Sequence, residues 1–378
     1  MALTDKLTAI ADAIRDKTGG TEELTLDQMA TEVAGIQTGG GDDGNGVVRG
    51  IIDRTISTIS DSTITFIGAN AFAECTKLTN IDFPAVTSIG KSAFMSCGNL
   101  QSIYFPAVTS TSENVFHACY GLRTISFPAL TWIGQGTFYS CSQLKSVEFP
   151  EVTTISNNAF RGCVNLSRVT FPKATVIGNH AFGQLGNLTS VSFPLAATIG
   201  DTAFGGCSLL SSVYFPMLTS LSTYAFNGCR SLVDVNMPML TMIPSYAFAY
   251  CSALSVIDFS EVISVGGSAF QSCSSLSVVS LPKVSVIHSY AFYACRSLLS
   301  IDFPSAESIY NYAFRNCTYL DTIRLMGSSL CTLSNSNAFQ STAIGSNKGS
   351  IYVPTSLVAS YQAATNWAYF STQILAGD

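Results

Sequence analysis

The sequence predicts a repeat solenoid, a right-handed coil carrying a parallel β-sheet and preceded by a short helical N-terminal segment. Three observations lead there. Phe72, Phe94, Phe116, Phe138, Phe160, Phe182, Phe204, Phe226, Phe248, Phe270, Phe292 and Phe314 recur every 22 residues without a slip. Each is followed by a run that alternates as a strand does, such as Leu78-x-x-Ile81-x-Phe83-Pro84. A glycine- and aspartate-rich run at 39–46 separates this array from a stretch with helical spacing.

That stretch comes first in the chain. Leu7, Ile10 and Ile14 fall at helical intervals after Thr4, and Thr25 with Gln28 makes a capping box ahead of Met29, Val33 and Ile36. Two short amphipathic helices are expected within residues 1–38. A pair this small holds no core of its own, so its apolar stripes call for a partner and the segment reads as an attachment device. Residues 39–46 then form a flexible linker.

The array spans residues 47–326. In each copy Ile81 and its equivalents point inward between outward residues such as Asn80 and Asp82, and the proline that follows stops the ladder. Val86 to Ile89 and its counterparts are expected to form a second extended stretch on the opposite wall. Gly90 is expected to permit the tight turn that closes the coil. One such unit cannot bury two apolar walls alone, so the copies stack into a continuous core. Twelve turns at about 4.8 Å give a length on the order of 58 Å.

Both ends depart from the pattern. Ile56, Ile59, Ile64 and Ile67 continue the phase upstream, but Asp61 and Ser62 stand where Phe-Pro would be. Downstream, Phe339 arrives 25 residues after Phe314, so residues 327–378 read as a degenerate last repeat and a cap. A helix from about Ser356 to Ala364 is expected there, with Val358, Tyr361, Trp367 and Phe370 covering the end of the core.

Composition narrows the function. Charged residues are 11% and hydrophobic ones 47%, which excludes disorder and permits a large core. A net charge of -6 leaves no basic excess for phosphates, so no nucleic-acid partner is expected. No apolar run approaches the roughly 18 residues of a spanning helix, and the start lacks the apolar block of a signal peptide, so no membrane insertion is expected.

The A-F-x-x-C and L-x-x-I-x-F-P positions together resemble the BspA-like, treponemal-type leucine-rich repeats over roughly residues 50 to 326. The resemblance implies a parallel sheet on the concave wall, although no asparagine ladder follows the strand here. The stretch from Leu3 to Ile36 resembles N-terminal segments of phage and prophage tail-associated proteins, and Ile351 to Trp367 resembles the end of BspA-like repeat proteins. Together these imply a virion component that binds surfaces.

Eleven of the 12 cysteines lie three residues after the repeat Phe, from Cys75 to Cys317, with Leu185 filling the one gap. In-register side chains point parallel, which disfavours disulfides, and a straight row does not surround a metal. A buried ladder of small apolar thiols is expected, in which serine at Cys163 would strand a hydroxyl and cost more than alanine. His117, His180 and His288 share no column, which argues against a histidine-assisted nucleophile. Asp234 and Asp258 face outward on adjacent turns at roughly 8 Å, a separation open to an inverting glycosidase or to a plain solvated face.

Tyrosine is uneven: nine of 15 lie between Tyr214 and Tyr319. Tyr224, Tyr246, Tyr290 and Tyr312 share the column two residues before the repeat Phe, with Tyr293, Arg230, Arg296 and Arg315 nearby. Flat rings bearing hydroxyls suit sugars and proteins alike; packing over turns is the plainer alternative. The expected protein is a non-enzymatic phage tail or tail-fibre adhesion protein without cofactors, made in the bacterial cytoplasm and carried on the virion. Its helices would dock to a tail or baseplate protein or to each other, and its solenoid would bind a host-cell surface glycan or protein. The competing expectations are a BspA-like adhesin on the bacterial cell surface and a glycan depolymerase.

Overall fold

The computed structural model describes residues 57–62 and 64–377. The attachment positions Leu7, Ile10, Ile14, Met29, Val33 and Ile36, the linker and the first residues of the array lie outside the described residues. The chain divides into two compact units, one ending at Ala174 and one beginning at Thr175. Each is a parallel-strand β-solenoid of stacked coils.

A coil has two short strands, such as Asn80–Asp82 and Ser88–Ile89. In the first unit Thr58–Ser60, Asn80–Asp82, Ser102–Tyr104 and Thr124–Ser126 lie side by side in one sheet. Thr58 stands opposite Asn80 and Ile103 opposite Ile125, one period apart. Ile81 and Ile103 are buried while Asp82 and Tyr104 are exposed, as period-two alternation requires. In the second unit six strands from Val256–Asp258 to Ile374–Ala376 form the corresponding sheet, with Ile301 opposite Ile323. The other wall is narrower, with two-residue strands such as Val286–Ile287 paired to Ser308–Ile309.

The side bearing the repeat Phe is a third hydrogen-bonded ladder that strand periodicity does not reveal. Ser92 N donates to Glu113 O at 2.9 Å, Phe94 N to Val115 O at 2.9 Å and Ser96 N to His117 O at 2.7 Å. Every second residue thus reaches the next coil. It escapes a strand pattern because the backbone turns left-handed two residues before and two after the Phe, at φ 55° for Ser92 and 62° for Ser96.

Between the walls the repeat Phe rings stack. Phe72 lies 5.0 Å from Phe94 and Phe94 5.3 Å from Phe116, all within 8° of parallel. The Phe-Pro rings form a second column tilted against the first, Phe105 lying 6.2 Å from Phe116. Offset stacks of this kind add stabilisation beyond area burial.

The thiol ladder is present, and all 12 cysteines are buried and outside any disulfide. Their thiols do more than fill space. Cys97 Sγ donates to Phe72 O at 3.0 Å and Cys163 Sγ to Phe138 O at 3.0 Å, each tying a coil to the one before. The expectation that serine would strand a hydroxyl is therefore corrected, since an acceptor waits at the site. Burial pushes the thiols of Cys119, Cys207 and Cys273 up to about 12.

Gly90 also needs correcting. Its φ is not left-handed; a Cβ there would meet Ala69 N at 2.5 Å, so glycine is required by the close approach of the preceding coil. At the end of the chain the α-helix covers Val358–Ala363, preceded by a 3-10 turn at Thr355–Leu357. Tyr361, Trp367 and Phe370 are buried, and Val358 is half-buried. Phe339 keeps the stack at 5.6 Å from Phe314 despite the longer interval, because two of the three extra residues fall in the loop between Arg324 and Thr332, where Thr332 pairs with Ser308, and the third falls between Leu333 and Phe339 at the 3-10 turn Ser336–Phe339. No helix among the described residues is long and apolar enough to cross a membrane.

Candidate functional site

The column two residues before the repeat Phe sits at the first left-handed position of the third ladder. Asn70, Asn114, Gly136 and Asn158 occupy it in the first unit, at φ 55° to 60°. Asparagine and glycine take this backbone readily, whereas a bulky side chain is strained there by roughly 1 to 2 kcal/mol. The second unit nevertheless places Tyr224, Tyr246, Tyr290 and Tyr312 in it, at φ 56° to 61°.

The rings do not form one continuous column. Tyr224 stacks on Tyr246 at 4.6 Å and Tyr290 on Tyr312 at 5.0 Å, with Ser268 on the coil between the pairs. Tyr293 stands edge-on to Tyr290 at 5.8 Å. Pairing covers one face of each ring, and Tyr224, 40% exposed, keeps its outer face. Asn337 Nδ2 donates to Tyr312 Oη at 3.4 Å and Asn316 Nδ2 to Tyr293 Oη at 3.2 Å.

Of the expected arginines, Arg230 joins Tyr224 in lining an open depression of about 480 Å³. Gly205, Gly206 and Gly228 form it by what they lack, and Gln184, Thr202, Ser208 and Asn227 supply amides and hydroxyls. The Arg315 guanidinium lies 5.1 Å over the Tyr312 ring, and its buried Nε has no hydrogen-bond partner. Arg296 is exposed and makes no hydrogen bond or ion pair among the described residues. The depression was not read from sequence, because it arises where glycines of two adjacent coils align beside Gln184 of a third.

Charge is sorted between the walls. From Thr223 to Tyr319, the residues within five of each repeat Phe on this edge include Arg230, Arg296 and Arg315 and no acid. Asp234, Asp258 and Asp302 lie on strands of the sheet. One coil earlier Asp201 is held by Thr202 at 2.9 Å and Thr223 at 2.5 Å, and lies 3.8 Å from His180.

The other candidates are less concerted. Asp234 and Asp258 line one shallow depression of about 330 Å³, and Asp258 Oδ1 accepts from Ser280 Oγ at 2.8 Å. His117 stacks on Tyr139 at 4.7 Å and His288 on Tyr310 at 5.1 Å. Burial lowers the His117 pKa. Among the described residues no group of three or more His, Cys, Asp or Glu is placed to hold a metal ion.

Comparison with known proteins matches the BspA type leucine-rich repeat region (6 copies) to residues 55–167, 131–255, 175–299 and 241–357. A leucine-rich repeat protein from Bacteroides ovatus is 28% identical, with 78% of this chain and 88% of that one covered and a TM-score of 0.49. A leucine-rich cell surface protein from Faecalibacterium prausnitzii is 22% identical, with 73% and 88% covered and a TM-score of 0.37. A leucine-rich repeat protein from Eubacterium ventriosum is 21% identical, with 77% and 84% covered and a TM-score of 0.45. No curated protein matches.

Proposed function

The chain belongs to the BspA-type leucine-rich repeat family, and we propose that it is a non-enzymatic adhesion protein whose tyrosine-bearing edge binds a glycan or protein on a host-cell surface. One observation carries the reading. Tyr224, Tyr246, Tyr290 and Tyr312 occupy left-handed positions that the other coils fill mostly with Asn, Gly or Ser, with His180 and Thr202 once each. Strain kept where a cheaper residue fits points to a role for the side chain. Tyrosine and arginine at such an edge bury much area with little loss of conformational freedom and keep a polar grip.

The carrier is the finer part of the proposal. A phage tail follows from the resemblance of the segment from Leu3 to Ile36, whose apolar stripes would seat on a tail or baseplate protein or on copies of the chain. The bacterial surface is the competing carrier, favoured by membership of the repeat family. Deleting residues 1–40 and following incorporation into purified particles separates them.

Changing Tyr224, Tyr246, Tyr290 and Tyr312 together to Ser tests the binding edge. Ser92 and Ser268 already adopt φ 55° and 57° in this column, so the variant keeps the fold. Binding to host cells is expected to fall at least tenfold while the circular dichroism spectrum is unchanged. Undiminished cell binding by the folded variant would remove this edge as the receptor face and direct attention to the strand column of Asp82, Tyr104, Glu148 and Tyr214.

A further inference from the structure

We infer that the ligand of this edge is an acidic glycan, and that the depression beside Tyr224 and Arg230 is the subsite for a carboxylate-bearing sugar ring. The inference rests on the adhesion reading and adds the ligand class. Three features converge on it.

The first is charge. Arg230 is exposed and has no acidic partner among the described residues, and no acid lies on this edge from Thr223 to Tyr319; Asp201, beside the lining residue Thr202, does not itself line the depression, and its two oxygens accept from the Thr202 and Thr223 hydroxyls. In a chain of net charge -6, three arginines kept apart from the sheet carboxylates make an anion-facing strip. Arginine also matches a carboxylate in a two-pronged geometry.

The second is shape. Gly206 and Gly228 sit at the second left-handed column, at φ 78° and 72°, where Tyr250 and Asn316 in later coils carry side chains at 62° and 63°. The fold does not require glycine there. A Cβ on Gly228 would only reach ordinary contact, 3.8 Å from Gly206 Cα. The glycines therefore open space that the coil could fill.

The third is lining chemistry. The outer face of Tyr224, opposite the one stacked on Tyr246, offers an apolar plane for the C–H face of a pyranose. Gln184, Thr202, Ser208 and Asn227 offer both donors and acceptors to ring hydroxyls. A peptide anchor would need an apolar pocket, whereas this depression is open and as polar as it is apolar.

The test uses the full chain on a panel of uronic- and sialic-acid glycans, each beside a neutral counterpart of the same length, with polyglutamate as a sugar-free polyanion. Binding is expected to the carboxylated glycans and to weaken as salt rises. Arg230→Gln and Gly228→Asn should each weaken it at least tenfold, with thermal midpoints unchanged. Equal binding to neutral glycans, equal binding to polyglutamate, or no binding to any carboxylated glycan would each overturn the inference. Should that happen while the tyrosine quadruple variant still loses cell binding, the adhesion reading stands and only the ligand class falls.

Discussion

The hydroxyls of Thr111 and Thr137 meet at 2.9 Å inside the core of the first unit. Both are departures from the repeat, standing where other coils carry Ile and Ala, and each is fully or almost fully buried. Gly134 N donates to Thr111 Oγ1 at 2.9 Å, and Thr137 Oγ1 donates to Gly134 O at 2.8 Å. Thr111 then gives its proton to Thr137, and every polar group is satisfied. The second-wall strand shrinks here to a single bridge between Ser110 and Trp132.

Thr137→Ala alone should therefore be costly, because it strands the Thr111 hydroxyl by about 1 to 3 kcal/mol. Adding Thr111→Ile restores the pattern of the other coils and should recover at least half of the loss. Urea unfolding of the wild type, both single variants and the double variant checks the coupling. Additive costs would mean that the two hydroxyls do not depend on each other.

The thiol bond from Cys163 to Phe138 O sets the order of two other variants. Serine keeps a donor within reach of that carbonyl, while alanine removes the donor and leaves a small void. Cys163→Ala should cost about 1 to 2 kcal/mol and Cys163→Ser no more than that. A clearly larger loss with serine would restore the purely apolar account of the ladder.

Raised thiols make the fold sensitive to alkali. Cys119, Cys207, Cys273 and Cys331 ionise at about 12 in the folded protein against an ordinary 9.0, with burial as the leading cause. The unfolded chain therefore loses these protons first as pH rises. Their contribution is complete below the ordinary value and is lost between there and the folded one. Each removes about 1.4 kcal/mol per pH unit, so several together should unfold the protein between about pH 10 and 11. Near-ultraviolet circular dichroism against pH checks this. At pH 8, native protein should react slowly with a thiol reagent and denatured protein should yield close to 12 thiols.

Asp234 and Asp258 invite the one enzymatic alternative. Asp258 accepts from Ser280 and faces an open depression, an arrangement suited to a solvated strand face. Purified protein should release no reducing ends from host polysaccharide, and Asp234→Asn with Asp258→Asn should leave cell binding unchanged. Turnover that disappears in this double variant would make the protein a depolymerase.

What was legible in the sequence was whatever repeats. Phe72 to Phe314, the Leu and Ile columns and the cysteines recur at one interval, and periodicity is the signature of stacked coils. The left-handed column was partly hidden, because its Asn and Gly members are mixed with Ser, His, Thr and Tyr. Gly90 looked like a turn residue, since a close approach between coils leaves no local trace. The depression depends on Gly205, Gly206 and Gly228, small residues in columns where other coils carry side chains. Periodic residues thus specify the coil, and the candidate site lies among the departures from it.

The last coil shows how such a departure is mended. Two aromatic side chains from the cap satisfy both backbone groups of Cys331: its N–H donates to Tyr361 Oη at 2.9 Å, and its carbonyl accepts from Trp367 Nε1 at 2.7 Å. Both side chains are 1% exposed, and Trp367 also packs 6.1 Å from Phe339, the last ring of the stack. Burial raises the Tyr361 hydroxyl to about 12, so it stays protonated and available up to alkaline pH. Tyr361→Phe preserves the packing and strands one buried N–H, a loss of about 1 to 3 kcal/mol. Trp367→Ala removes packing as well and should cost about 3 to 5 kcal/mol. Amide hydrogen exchange distinguishes the two effects. Tyr361→Phe should speed exchange at Cys331 with little change at Phe314, whereas Trp367→Ala should expose both. Unchanged exchange at Cys331 in the Phe variant would mean that the cap holds the coil by packing alone.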